Sequence, residues 1–149
     1  MIEKGDFIFF KPRKSSWIEN LIAKFDGKYW HVGIMCTKHL LLNQRARGIT
    51  INTLDDFSHH EIDIFELVDK TRLDKLIVIL MLLNRPYDYL GLLRFIFPNF
   101  IKPTGTKFYC SEFLAYGLVA VGYDLEDTNI SPLQLSNLPI LQYKGTITI

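Results

Sequence analysis

Neither sign of charge dominates this chain of 149 residues. Seventeen Lys and Arg stand against sixteen Asp and Glu, a formal net charge of +1. A nucleic-acid-binding domain carries a clustered basic face, so composition argues against that class. Cysteine is scarce as well: Cys36 and Cys110 are the two present, too few for a disulfide framework, and they are expected as free thiols. Long hydrophobic runs are missing. The longest, Leu76 to Leu83 ("LIVILMLL"), has eight residues, whereas a bilayer-spanning helix needs about 20. The amino-terminal stretch "MIEKGDFIFFKPRK" has an acid at position 3 and lacks a small-residue cleavage site, unlike a secretory signal. A cytoplasmic protein with no transmembrane segment is the expectation. No internal repeat and no polar low-complexity tract is visible.

What is present suits a compact fold. Hydrophobic residues make up 48% and aromatics 13% of the chain, enough for one domain over 1–149 with a real core. "FIFF" after Gly5-Asp6 predicts a buried strand ended by Pro12. Ser16 with Glu19 fits a capping box opening a helix through about Phe25, stopped by Asp26-Gly27. "WHVGIMC" and "HLLLNQ" predict a hairpin turning at Thr37-Lys38, Gly48 to Ile51 a further strand, and "EIDIFEL" another by its period of two. Asp69 or Thr71 should cap a helix holding "LDKLIVILMLLN". "YCSEFLAYGLVAVGY" suits a largely buried helix ended by Gly122. Residues 124–142 are expected as mostly loop before a closing strand, "YKGTITI". Strands followed by helices predict an α+β fold with a mainly antiparallel sheet.

Cys110 falls at the first turn of a predicted helix, where unpaired backbone N–H groups and the helix dipole favour a thiolate. A free cysteine is more often a small buried hydrophobe, so a base must be found. His39 lies in a predicted turn, and His59-His60 in a polar connection without metal-ligand spacing elsewhere; these three are expected in solvent. His31 interrupts a strand and shares a face with Gly33 and Met35, and the glycine should leave space for an incoming helix terminus. By the same alternation Cys36 lies on the other face and should be core. A two-residue turn at Thr37-Lys38 sets Met35 against Leu40 and His31 against Gln44, which makes Gln44 the leading candidate to orient the imidazole. A three-residue turn would bring Asn43 or Arg45 there instead, with Asn43 the runner-up. Glu112 is expected as a first-turn charge facing away from the thiol. Tyr87, Asp88 and Tyr116 are candidates for lining a pocket.

With "GDFIFF", "WHVGIM", "RPYDYLG" and "FYCSEFLAYGL" in that order, the sequence resembles the permuted branch of the NlpC-type papain-like cysteine hydrolases, the YiiX-like group above all, from about Gly5 to Leu135. His31 precedes Cys110 by 79 residues, the reverse of the usual papain-like order and the order of the permuted branch. The resemblance implies a circularly permuted papain-like fold, an antiparallel half-barrel sheet packed against helices, with Cys110 as nucleophile, His31 as base and a polar residue on the following strand. YiiX-like members typically carry a glutamate there; this chain has "LLNQRARG".

Those residues imply acyl transfer through a thioester on Cys110, with its backbone N–H as oxyanion donor and no cofactor or metal. Substrate classes implied by the family are peptides, peptidoglycan-type amides and lipids. A cell-wall substrate would need delivery by lysis or a phage particle, which leaves a phage-encoded origin open. The other class of function is a catalytically silent papain-like module that binds a peptide or lipid. Peripheral membrane contact through the apolar segment Leu90 to Ile101 is a third expectation.

Overall fold

The computed structural model describes residues 1–45, 48–83 and 110–149. Its elements, in chain order, are β1 (Phe7–Phe10), α1 (Trp17–Asp26), β2 (His31–Met35), β3 (Leu40–Arg45), β4 (Gly48–Thr53), a 3-10 turn (Leu54–Phe57), β5 (Glu61–Leu67), α2 (Leu73–Leu82), α3 (Cys110–Ala120), α4 (Pro132–Ser136) and β6 (Leu141–Thr148). The strands form an open six-stranded antiparallel sheet in the order β4-β3-β2-β1-β5-β6. The mixed α+β class and the antiparallel sheet are as expected. Tyr87 and Asp88, and the apolar segment Leu90 to Ile101, lie outside the described residues.

β1 is wholly buried because the sheet is covered on both faces, which turns alternation into a continuous apolar run. Phe7 and Phe9 join Val32, Ile34 and Leu42 against Leu76 and Leu80 of α2 and Phe113, Leu114 and Leu118 of α3. Ile8 and Phe10 point the other way, into a smaller cluster with Met35, Leu41, Phe57, Ile62 and Ile64. The two helices approach closely at Gly117, where an added Cβ would lie 2.4 Å from Leu80 Cδ2 and 3.0 Å from Leu76 Cδ1.

Helix ends depart from expectation in instructive ways. Ser16 caps α1, its Oγ accepting from Glu19 N, and Gly27 ends the helix at φ 102°. The reciprocal half of the capping box is not made: the Glu19 carboxylate instead accepts from the backbone and guanidinium of Arg13. An ion pair outcompetes the neutral backbone N–H. Neither Asp69 nor Thr71 caps α2; Arg72 occupies that position without a side-chain bond, and Asp69 Oδ1 accepts from Thr71 N in a local turn. The loop after Tyr123 contains α4, whose capping box pairs Ser131 Oγ with Gln134 N and Gln134 Oε1 with Ser131 N.

Asp63 anchors the sheet to its surroundings. It accepts from Tyr29 Oη at 2.7 Å and from Thr146 of β6, and pairs with Lys28 at 2.7 Å and Lys11 at 3.0 Å. Burial alone would push its carboxyl up; the bonds from Lys28, Thr146, Tyr29 and Lys11 outweigh burial and hold it well below the usual carboxylate range.

Gly117→Val is expected to lower stability by about 1–3 kcal/mol through overpacking between α2 and α3. A lower urea midpoint at unchanged m checks it, since unchanged m means the exposed surface on unfolding is the same.

Candidate functional site

The turn between β2 and β3 decides which side chains meet. Cys36 N–H donates to Leu40 O at 2.9 Å, and the ladder pairs Met35 with Leu41, Ile34 with Leu42 and Gly33 with Asn43. The connection is therefore longer than the two-residue turn expected at Thr37-Lys38, and every β3 residue moves by one. Asn43, the expected runner-up, is the side chain that bonds the histidine: His31 Nε2 lies 3.1 Å from Asn43 Oδ1. Gln44 is corrected accordingly. It alternates with Asn43, shares the side of Leu42, and pairs with Ile49, which packs on the helix-facing core. Gln44 is fully buried on that side, the side from which α3 approaches with Cys110.

His31 does not stand in open space. A Cβ at Gly33 would meet Leu41 Cδ1 at 2.9 Å and Asn43 Cβ at 3.0 Å, so the gap beside the glycine is filled by β3 rather than by a helix terminus. The imidazole stacks on Trp30 (5.3 Å, 30°) and Phe57 (5.9 Å, 18°) and lies against Phe10. Burial pushes its pKa down to about 4; the Asn43 bond opposes this, while the charges of Arg45 and His60 add to it. His31 is neutral at pH 7.

Asn43 is itself held. Its Nδ2 donates to Asn52 Oδ1 at 3.1 Å, and Asn52 Nδ2 donates to Asp56 Oδ2 at 3.1 Å. Thr50 Oγ1 donates to the same Asn52 oxygen at 3.1 Å. Taking Nε2 as the protonated nitrogen, the donors run head to tail from His31 through two amides to a carboxylate. The acid that β3 lacks stands three residues beyond the end of β4. Sequence reading passed over Asn52 and Asp56 because their connection to His31 runs across strands.

Cys110 begins α3 and is buried. Burial pushes its thiol up to about 12 and the Asp26 charge adds to this; the backbone N–H groups of Val32, Ser111 and Cys110 itself favour the thiolate but are outweighed. Val32 N–H belongs to the peptide unit that joins it to His31, so the thiol and the imidazole lie on opposite sides of one short backbone stretch. No hydrogen bond links Cys110 to His31 among the described residues. Ser111 Oγ donates to Ile130 O at 2.6 Å and fixes the helix start. Glu112 is in the first turn of α3, as expected, and is buried. Tyr116 packs on the helix-facing core about 9 Å further along α3, away from the thiol.

Two other expectations change. Cys36 packs against the helix-facing core on the side of Val32 and Ile34, as expected, but lies past the end of β2 and is half-buried, with Sγ donating to Leu40 O at 3.2 Å. His60 is buried rather than solvated: Nδ1 meets Phe57 O at 2.7 Å, Nε2 meets Glu19 Oε2 at 3.2 Å, and the ring stacks on Trp30 at 5.5 Å. Trp30 is thus shared between His31 and His60. Among the described residues no group of three His, Cys, Asp or Glu could hold a metal ion, and no helix is long and apolar enough to cross a membrane.

No family model matches this chain, and no curated protein matches it.

Two outcomes are expected here. Asn43→Asp places a carboxylate against Nε2 and should raise the His31 pKa from about 4, measured by NMR titration of the imidazole. The wild-type pKa of His31 lies below its ordinary 6.5, so below pH 6.5 the unfolded chain binds a proton that the folded chain refuses. Stability should then fall as pH drops from 6.5 toward 4. In His31→Leu the difference between urea midpoints at pH 7 and pH 5 should shrink.

Proposed function

We propose that the protein is a cysteine-dependent hydrolase or acyltransferase of permuted papain-like type, acting on an amide or ester bond through a thioester on Cys110. The observation that carries this reading is the fixed imidazole: Asn43 Oδ1 accepts a hydrogen bond from His31 Nε2–H, leaving Nδ1 as the basic nitrogen. An amide serves this orienting role in Cys-His-Asn sites. Asn52 and Asp56 supply behind Asn43 the support that a carboxylate would supply directly.

Thiol and imidazole are both neutral at rest, so the reading is general-base catalysis rather than a preformed ion pair. In the resting structure the two groups lie on opposite faces of the sheet, so the reaction requires a rearrangement at the start of β2 that brings the His31 ring to the face of Cys110. Nδ1 takes the thiol proton as Sγ attacks the carbonyl carbon, and the carbonyl electron pair moves to oxygen. The Cys110 N–H meets the oxyanion. Gln44, on the side of the sheet that α3 approaches, offers a carboxamide N–H as a second donor. Collapse expels the amine or alcohol, which Nδ1 protonates; water, deprotonated by Nδ1, then releases the acid. Peptides, peptidoglycan-type amides and lipid esters all fit this chemistry.

The silent binding module has an observation of its own: a thiol pushed up to about 12 with no bond to the imidazole. Acylation of Cys110 by p-nitrophenyl acetate, followed by intact mass with Cys36→Ser as background, separates the two. The hydrolase reading expects acetylation that falls at least tenfold in His31→Ala. No acetylation above that of a denatured control, in both chains, leaves the silent module. Gln44→Ala should slow acetylation by about tenfold while leaving iodoacetamide alkylation of Cys110 unchanged, because alkylation builds no oxyanion.

A further inference from the structure

Helix α1 is amphipathic the wrong way round for a surface helix. The residues it buries are Glu19 and Ala23. Trp17, Leu21 and Phe25 follow at intervals of four and are 74%, 42% and 44% exposed, with Ile18 at 53%. At about 100° per residue, the Trp17–Leu21–Phe25 stripe centres roughly 180° from the Glu19–Ala23 face. A soluble helix normally places these classes the other way. Four large apolar side chains on one outward face make a contiguous patch, which marks an interaction surface rather than scattered exposure.

The charges around the patch point to its occupant. Between residues 11 and 28 the chain carries Lys11, Arg13, Lys14, Lys24 and Lys28 against Glu19 and Asp26; Lys11 and Lys28 are paired with Glu61 and Asp63 of β5 and Arg13 with Glu19, which leaves Lys14 and Lys24 as the cations beside the patch. Both acids are turned inward: Glu19 is buried against Arg13 and His60, and Asp26 accepts from Tyr29 N and Leu133 N. Lys14 and Lys24 are exposed and form no ion pair among the described residues. The outward surface of α1 is thus apolar and aromatic at its centre and basic around it. That is the chemistry of a helix lying in the headgroup region of an anionic bilayer, where Trp and Phe enter the acyl boundary and lysines reach the phosphates.

We infer that α1 docks this protein on anionic lipid surfaces, the helix lying flat with Trp17, Leu21 and Phe25 inserted. The inference is independent of the reaction proposed for Cys110. It concerns a different segment from Leu90 to Ile101, which lies outside the described residues. Binding would hold the sheet against the lipid surface.

The test is co-sedimentation of the full chain with phosphatidylcholine vesicles, with and without phosphatidylserine, together with Trp emission and sedimentation velocity. Binding to phosphatidylserine vesicles that weakens with salt, a blue shift lost in Trp17→Phe, and at least tenfold weaker binding in Leu21→Glu with Phe25→Glu are expected. These side chains are exposed, so the double variant should keep its circular dichroism spectrum and urea midpoint. Lys14→Glu with Lys24→Glu should lose preference for the anionic vesicles. Absence of vesicle binding overturns the inference, as does binding indifferent to these substitutions. Self-association abolished by Leu21→Glu, with no vesicle binding, assigns the patch to a second copy of the chain instead.

Discussion

The pairing of Gly33 with Asn43 is the contact on which the site depends. Because side chains alternate along a strand, one register decides at a stroke that Asn43 lies with His31 and Gln44 with the helix-facing core. The close approach at Gly33 reinforces that choice, since any Cβ there would press on Leu41 and Asn43. Everything downstream follows: the tautomer of His31, the amide chain to Asp56, and the buried carboxamide on the side that Cys110 approaches.

The site is also a consequence of the sheet being covered twice. Covering one face with α2 and α3 buries the thiol. Covering the other with the 3-10 turn and Trp30 buries the imidazole between aromatic rings. Each is thereby pushed toward its neutral form for the same physical reason, loss of water around a charge. The asymmetry lies in what opposes burial. The thiol has three backbone amides and the imidazole a single carboxamide oxygen.

Much of the fold is legible in the sequence where a local rule suffices. "FIFF", "HVGIM" and "EIDIFEL" form strands, Ser16 and Gly27 bound α1, and Cys110 opens a buried helix, because period, caps and breakers act within a few residues. The register of β3 is not legible, since a turn near Thr37-Lys38 fits two or more lengths and only the packing of Leu41 and Leu42 into opposite cores selects one. His60 escapes notice for a similar reason: its burial comes from Trp30, Phe10 and Glu19, all distant in sequence. The α4 signal was local and readable, Ser131 with Gln134 three residues on and Pro132 between. The identity of the histidine's partner thus needed the third dimension.

The position of β6 has a kinetic side. It pairs with β5 along its whole length, from Glu61 opposite Thr148 to Leu67 opposite Leu141, so this ladder closes loops of about 75 to 90 residues that contain α2, α3 and α4. Loop closure of that span must precede any reward from the contacts. Until it happens, the backbone edge of β5 stands open with Ile62 and Ile64 on one face and Asp63 still unmatched by Thr146. That edge is where partly folded chains would find one another, and the charged residues Glu61, Asp63 and Glu66 along it act as gatekeepers against such pairing.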